Sequence, residues 1–213
     1  MSELTYFVIN FAVVILSITI HEYAHAKSAD AAGDPTPRAH GRVTLNPVSH
    51  FDPLGFMMIL MTSFAGFGFG WGKPVPVNPG RMKNPRTDNI VVTAWGPFSN
   101  LLIAIVCALV FRAFPSGSLA IETALVVAVY INLSLCVFNL IPLFPLDGSH
   151  IFAGLFLRDW TDFRYWNWQR QFGPLLLMAS IAILPIVTGI SPIRMIIRPA
   201  VTAIAKFLFG VGL

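Results

Sequence analysis

Long uncharged stretches alternate with short polar segments along the chain. The apolar stretches cover residues 4–29 (interrupted only near their end), 89–111, 123–146 and 171–193. The last three contain no charged residue, and each is long enough to cross a hydrocarbon layer of about 30 Å as a helix. Gly33 followed by Pro35 indicates the end of the first helix. The tail, 192–213, is apolar but contains three basic residues, a pattern typical of either a membrane span or an interfacial helix.

The region between the first two long stretches has a different pattern. Residues 34–53 contain four prolines and predict irregular structure, with a possible short strand at 42–45. Residues 54–71 are uncharged and glycine-rich, and prolines recur through 72–79, which favours an edge strand or hairpin. A full crossing at 54–71 would move the basic residues after it to the other side of the membrane. We therefore expect a re-entrant or membrane-surface segment there.

These elements together predict an all-α polytopic membrane protein. We expect about five transmembrane helices, with a re-entrant or β-hairpin segment between the first two. The length favours one domain, 1–213, with a core at about 4–157 and C-terminal helices at about 171–213.

Composition and charge agree with a membrane location. Hydrophobic residues make up 55% of the chain and charged residues 11%, against roughly 25% in a typical soluble domain. The basic residues lie singly between apolar stretches and form no run, which argues against nucleic-acid binding and indicates a lipid bilayer as the partner. Cys107 and Cys136 lie inside apolar stretches and do not indicate a disulfide.

The distribution of basic residues predicts the orientation in the membrane. Seven of them lie between the first helix and the 89–111 stretch, and none precedes the first helix. The positive-inside rule therefore places the N-terminus outside and this region in the cytosol. These seven residues are Lys27, Arg38, Arg42, Lys73, Arg81, Lys83 and Arg86.

The first helix contains the pattern His-Glu-x-x-His at residues 21–25. Residues four apart on a helix are about 40° apart around its axis, so His21 and His25 can bind one Zn²⁺ ion. Glu22 lies close enough to accept a proton from water activated by that ion. Two structural histidines are the alternative reading. A chain with only five His and three Glu would match this pattern by chance roughly once in several hundred cases.

A catalytic zinc site usually has a third protein ligand. The candidates are His40, His50, His150 and Asp147. Asp147 follows a long uncharged stretch in which Pro142 and Pro145 interrupt the helix and leave room beside its carboxylate. It can also be read simply as the cap of the next helix. The predicted helix directions place both His21–His25 and Asp147 near the cytosolic side, which favours Asp147 as a ligand.

Several motifs resemble the site-2 protease family of intramembrane zinc metalloproteases. They are His-Glu-x-x-His at 21–25, Asn-x-x-Pro-x-x-Pro-Leu-Asp-Gly at 139–148, Gly-Asp-Pro-Thr-Pro at 33–37, Trp-Gly-Lys-Pro-Val-Pro-Val-Asn-Pro at 71–79 and Gly-Pro-Phe-Ser-Asn at 96–100. The resemblance is to the compact prokaryotic branch, which lacks PDZ and CBS domains. It extends over about residues 15–155.

The resemblance implies zinc ligation by His21, His25 and Asp147, with Glu22 as the general base. It implies that Asn139 binds substrate or stabilises the oxyanion. It also implies cleavage of transmembrane protein or peptide substrates, with the substrate backbone pairing along Val75 and Val77. The implied location is a prokaryotic inner membrane. The identity of the substrate and the oligomeric state do not follow from it.

A non-proteolytic membrane metal-binding protein or an ion transporter is the alternative. Such a protein would also place His and Asp within the membrane. It does not explain the glutamate directly after the first histidine, nor the spacing of the two histidines. We therefore expect a protease.

Overall fold

A computed structural model describes residues 1–64, 71–114 and 116–210, and this part of the chain is helical and contains no strand. The α-helices are α1 (Glu3–Ala32), α2 (Thr36–Ala39), α3 (Pro53–Phe64), α4 (Pro85–Ala113), α5 (Leu119–Asn139), α6 (Asp147–Phe156), α7 (Phe163–Met178), α8 (Leu184–Thr188) and α9 (Pro192–Phe209). Short 3-10 turns occupy Pro47–His50 and Pro79–Arg81, and a π-helical turn, Ala179–Ile183, joins α7 to α8.

Four helical segments are long and apolar enough to cross a membrane. They are α1, α4, α5 and the continuous segment Phe163–Thr188. Many large apolar side chains lie on the outside of the bundle, including Ile186 (84% exposed) and Phe207 (81% exposed). A surface of this kind is unfavourable in water but suits lipid chains. The protein is therefore an integral membrane protein.

The ends of α1 follow the sequence prediction. The Ser2 hydroxyl accepts a hydrogen bond from the backbone N–H of Thr5 at the first turn. Gly33 terminates the helix with φ = 103°, a left-handed conformation that favours glycine, and its N–H donates to the carbonyl of Asp30. The continuous helix in between carries both histidines of the metal motif.

Helices α1, α4 and α5 pack side by side and form the centre of the bundle. Helix α4 is antiparallel to α1, because Asn100 lies beside Ser17 whereas Val92 lies beside His25. Helix α5 is parallel to α1 and brings Asn132 to Ser17. Further along, α4, α5 and α9 enclose an apolar core of Ala104, Ala108, Val129, Leu133, Val201 and Ala205. The small residues in this core allow close approach of the helices.

Other parts of the structure differ from the sequence prediction. The uncharged stretch 123–146 is longer than helix α5, which ends at Asn139. Pro142 and Pro145, which were expected to interrupt the helix, lie in the loop that follows. The possible strand at 42–45 is wrong, since these residues form turns and bends. Residues 71–78 are neither helix nor strand. Residues 65–70 of the expected re-entrant segment lie outside the described residues.

Candidate metal centre

Three side chains from two parts of the chain, α1 and the start of α6, meet at one point. His21 Nε2 lies 3.2 Å from Asp147 Oδ2, and His25 Nε2 lies 3.3 Å from Asp147 Oδ1. The two Nε2 atoms are 3.1 Å apart. One ligand atom from each residue falls within 4.8 Å of the others, an arrangement that could hold a metal ion. Both histidines are largely buried, at 8% and 9% exposure.

Local structure explains why these groups converge. His21 and His25 lie one turn apart on α1, with ring centroids 4.7 Å apart. Asp147 is the first residue of α6, directly after the proline-containing loop. Opposite the histidines, α4 has Gly96, where an added Cβ would lie 2.3 Å from His25 Nε2 and 2.7 Å from His21 Cε1. Only a glycine leaves space for both rings at this position.

The outer nitrogen of each imidazole has a defined hydrogen-bond partner. His25 Nδ1 lies 2.9 Å from the backbone carbonyl of Val92, and His21 Nδ1 lies 2.7 Å from Asn100 Oδ1. A carbonyl oxygen only accepts, so His25 donates from Nδ1 and directs the lone pair of Nε2 toward Asp147. Such outer contacts are the usual way in which proteins orient metal-binding histidines.

The tautomer of His21 is fixed by a buried network across three helices. Asn132 Nδ2 donates to the carbonyl of Ala128 and to the Ser17 hydroxyl, both at 2.9 Å. This turns Asn132 Oδ1 toward Asn100, whose Nδ2 donates to it at 2.9 Å. Asn100 Oδ1 therefore faces His21 and accepts its Nδ1–H. Both asparagines are completely buried.

The cluster fits a divalent metal ion. As neutral imidazoles protonated at Nδ1, both histidines present the lone pairs of Nε2 beside the acceptor oxygens of the carboxylate, an arrangement that a cation can bridge. Asp147 Oδ2 is a buried oxygen without a hydrogen-bond partner among the described residues, although it lies close to His21. Two imidazoles and one carboxylate are a donor set typical of zinc sites with an open position.

Glu22 lies beside the cluster and contacts the segment that follows residue 70. Its Oε2 accepts a hydrogen bond of 3.1 Å from the backbone N–H of Val75. The same segment is held by the guanidinium of Arg42, which donates to the carbonyls of Ser49, Lys73 and Pro74. An extended piece of backbone therefore passes directly beside Glu22.

The remaining candidates from the sequence are not part of the three-residue cluster. Asn139 Nδ2 donates to the carbonyl of Leu135 in its own helix at 3.0 Å. His40 Nδ1 and His50 Nε2 contact backbone carbonyls of Thr36 and Thr44, and the ring of His150 packs on Trp166. None of these three histidines belongs to the described cluster.

Sequence reasoning did not assign a role to Ser17, Gly96, Asn100 or Asn132. A signal for the two asparagines was present, because uncharged polar residues inside apolar spans usually bond between helices. Gly96 lies in the motif at 96–100 that resembles the family, but the motif gives it no role, since its importance depends on which residues of α1 face it. The network became visible only when the register of α1, α4 and α5 was known.

The fold and the cluster define a class: a polytopic helical membrane protein with a buried His/His/Asp site. The family model described as "Peptidase family M50" matches residues 9–180. The chain belongs to this family.

Two curated relatives are similar over about 150 residues. "Putative zinc metalloprotease YwhC" of Bacillus subtilis (strain 168) is 39% identical over 150 residues, covering 67% of this chain and 66% of the relative. "Putative zinc metalloprotease Rip2" of Mycolicibacterium smegmatis is 30% identical over 146 residues, covering 67% of this chain and 55% of the relative. The chain thus spans slightly more than half to nearly two thirds of their length. No solved structure gives a significant match.

Proposed function

We propose that this protein is an intramembrane zinc endopeptidase that cleaves other membrane proteins in or near their transmembrane segments. The observation that carries the proposal is the convergence of His21, His25 and Asp147 within 4.8 Å, inside a chain of peptidase family M50. The names of the two relatives, which include zinc metalloprotease, support zinc as the metal.

The residues divide the chemistry among them. His21 Nε2, His25 Nε2 and the Asp147 carboxylate would hold Zn²⁺. When bound, Zn²⁺ supplies Lewis acidity, which makes water a nucleophile near neutral pH and polarises the scissile carbonyl. Glu22 is the general base. Its Oε2 already accepts from Val75, so Oε1 is the atom that takes the proton and later gives it to the leaving amine.

Substrate binds along the extended segment beside Glu22. Val77 N–H has no hydrogen-bond partner among the described residues and can donate to an unwound substrate, as in strand addition. Val75 N–H contacts Glu22, so Val75 contributes its carbonyl. Asn139 uses one amide hydrogen within its own helix, and the other remains for a substrate carbonyl or an oxyanion.

We also propose how the helices are arranged in the membrane. The described part of helix α3, Pro53–Phe64, has 12 residues, fewer than a crossing needs, and we place it beside α1 as a re-entrant segment. Helix α9 packs against α4 and α5 and is the fifth crossing. The whole chain forms one domain in a prokaryotic inner membrane. The N-terminus lies outside, and the metal centre lies toward the cytosol.

The activity can be tested with purified protein in a bilayer and a model transmembrane substrate. We expect Glu22→Gln to lose cleavage by about 10²-fold or more, because the general base is removed, while zinc remains bound at the wild-type stoichiometry. The glutamine still offers an oxygen to Val75 N–H, so the neighbouring backbone is retained. Cleavage products by mass spectrometry and zinc content by elemental analysis are the two measurements.

Each outcome distinguishes the protease from a metal-binding or transport protein. Equal cleavage by wild type and Glu22→Gln contradicts the role of Glu22. Stoichiometric zinc without cleavage of any transmembrane substrate favours the non-proteolytic alternative. Absence of zinc from the wild-type protein after equilibration with the metal contradicts the metal centre itself.

A further inference from the structure

The loop 140–146, directly before Asp147, has two internal backbone hydrogen bonds, from Leu143 N–H to the Ile141 carbonyl and from Leu146 N–H to the Leu143 carbonyl. Pro142 and Pro145 have no N–H groups, and the Phe144 N–H finds its partner outside the loop. Two backbone groups of the loop, the Phe144 N–H and the Pro142 carbonyl, bind one side chain, that of Gln169 on α7. Its Oε1 accepts from Phe144 N–H at 2.9 Å, and its Nε2 donates to the carbonyl of Pro142 at 3.1 Å. A carboxamide is suited to this position because it both donates and accepts.

The residues one turn before and after Gln169 contact the same region. Tyr165 donates from its hydroxyl to the carbonyl of Ser149 at 2.8 Å and accepts from Gln169 Nε2 at 2.9 Å. At Gly173 an added Cβ would lie 2.4 Å from the carbonyl oxygen of Phe144. Residues 165, 169 and 173 lie on one face of α7, and they hold the chain on both sides of Asp147.

This face is also the part of α7 that is buried. The buried residues of α7 are Gln169, Gly173 and Leu177, spaced four apart. The Asp147 loop is thus a principal surface on which α7 docks. The hydrogen bonds of Gln169 and Tyr165 go to the loop backbone, to each other and to Ser149, and none reaches His21, His25 or the Asp147 carboxylate.

We infer that α7 positions the carboxylate of Asp147 and that Gln169 is the positioning residue through which it acts. The inference rests on the proposed role of Asp147 as the third zinc ligand. Zinc binding and the docking of α7 are then linked: a loop released from α7 holds zinc less tightly, and zinc in the site strengthens the docking of α7.

The test is a set of zinc affinities measured by competition with a chelator on the full chain in lipid nanodiscs. We expect Gln169→Leu to weaken zinc binding by about 10–100-fold, as for other groups that orient metal ligands. Gln169→Glu should also weaken zinc binding, because its carboxylate accepts from Phe144 N–H but cannot donate to the carbonyl of Pro142. Gln171→Leu is the matched control, because Gln171 lies exposed on the other side of the same helix.

A double-mutant cycle separates positioning from general destabilisation. In an Asp147→Asn background the ligand that Gln169 positions is absent, so Gln169→Leu should have almost no further effect on zinc affinity. Gly173→Ala should behave in the same way and replaces Gln169→Leu if that variant does not fold. Additive losses, or equal zinc affinity for Gln169→Leu and Gln171→Leu, would overturn the inference. If wild type does not bind zinc, or Asp147→Asn binds it as tightly as wild type, the proposed metal centre fails first.

Discussion

Gly96 leaves the space that the imidazoles of His21 and His25 need in order to bind one metal ion. The position that a Cβ would occupy lies 2.3 Å from His25 Nε2, well inside van der Waals contact. The conflict involves the ligand atom of a buried imidazole that is held on its other side by the carbonyl of Val92. A small residue on α4 thus sets the geometry of a site on α1.

Replacement of this glycine gives a direct prediction. We expect Gly96→Ala to separate the two imidazoles and abolish stoichiometric zinc binding, while helical content stays close to wild type. Gly80→Ala is the control, because its added Cβ would meet only the Asn78 side chain at 3.2 Å. Zinc content and circular dichroism measure the two effects, and a Gly96→Ala protein with full zinc content would contradict the prediction.

Asn100 acts at the same scale through the tautomer of His21. Asn100→Leu removes the acceptor for His21 Nδ1–H, and we expect about 10–100-fold weaker zinc binding. Asn100→Asp keeps an oxygen at this position and should bind zinc more tightly than the leucine variant. Asn10→Leu is the control, because Asn10 bonds only to Tyr6 in its own helix. Equal zinc affinities for Asn100→Leu and Asn10→Leu would refute the role of Asn100.

At the scale of elements, Asp34 connects the end of α1 to the proposed substrate-binding segment. Its Oδ2 accepts from the Asn78 N–H at 2.6 Å, and its Oδ1 accepts from the backbone and the hydroxyl of Thr36. Burial alone would raise the pKa of Asp34, but the hydrogen bonds from Thr36 and Asn78 outweigh it. The pKa therefore lies below its usual value.

The lowered pKa of Asp34 predicts that the local stability of the segment it binds depends on pH. A carboxyl whose pKa is lower in the folded state stabilises the fold above its unfolded pKa of about 3.9, and the contribution disappears as the pH falls through the folded value. We expect hydrogen-exchange protection of residues 75–80, corrected for intrinsic rates, to decrease in that range. Asp34→Asn should show weaker protection at pH 6 and little change on acidification. Identical acid profiles for the two proteins would count against this account.

Particular elements show how far the sequence could predict the structure. Helices α1 and α4 were predicted within a few residues, because apolar length and glycine or proline signals act locally. Hydropathy alone does not show the end of α5, since the apolar stretch continues to 146, but Pro142 and Pro145 predict the interruption that follows Asn139. The cluster of His21, His25 and Asp147 followed from motifs and helix direction. The contacts of Gln169 and Asn100 depend on helix rotation and register, which no local pattern specifies.

At the scale of the whole molecule, the direction of the helices sets which loops share a side of the membrane. Helix α4 is antiparallel to α1, and α5 is parallel to α1. Successive loops therefore alternate between the two sides of the membrane. With the N-terminus outside, the connection 114–118 lies outside and the connection 157–162 lies in the cytosol. The metal centre then lies nearer to the cytosolic loops.

Thiol labelling tests this orientation. In a background with Cys107 and Cys136 replaced by alanine, we expect Ser116→Cys to react with a membrane-impermeant maleimide in intact cells. Thr161→Cys should react only after permeabilisation. Both positions are exposed in the structure, so accessibility from solvent is comparable. The reverse pattern would invert the proposed topology, and labelling of both in intact cells would exclude it.

The buried network of Ser17, Asn100 and Asn132 has a consequence for biogenesis. Each of the three helices, inserted singly, carries a hydroxyl or a carboxamide into hydrocarbon that cannot solvate it. Association of the helices gives these groups their hydrogen-bond partners. Such bonds matter for assembly because the hydrophobic effect does not draw helices together within lipid. The contacts that orient His21 therefore also favour assembly of the bundle. A truncated chain that lacks α5 would leave the carboxamide of Asn100 without Asn132, and its remaining helices should associate more weakly.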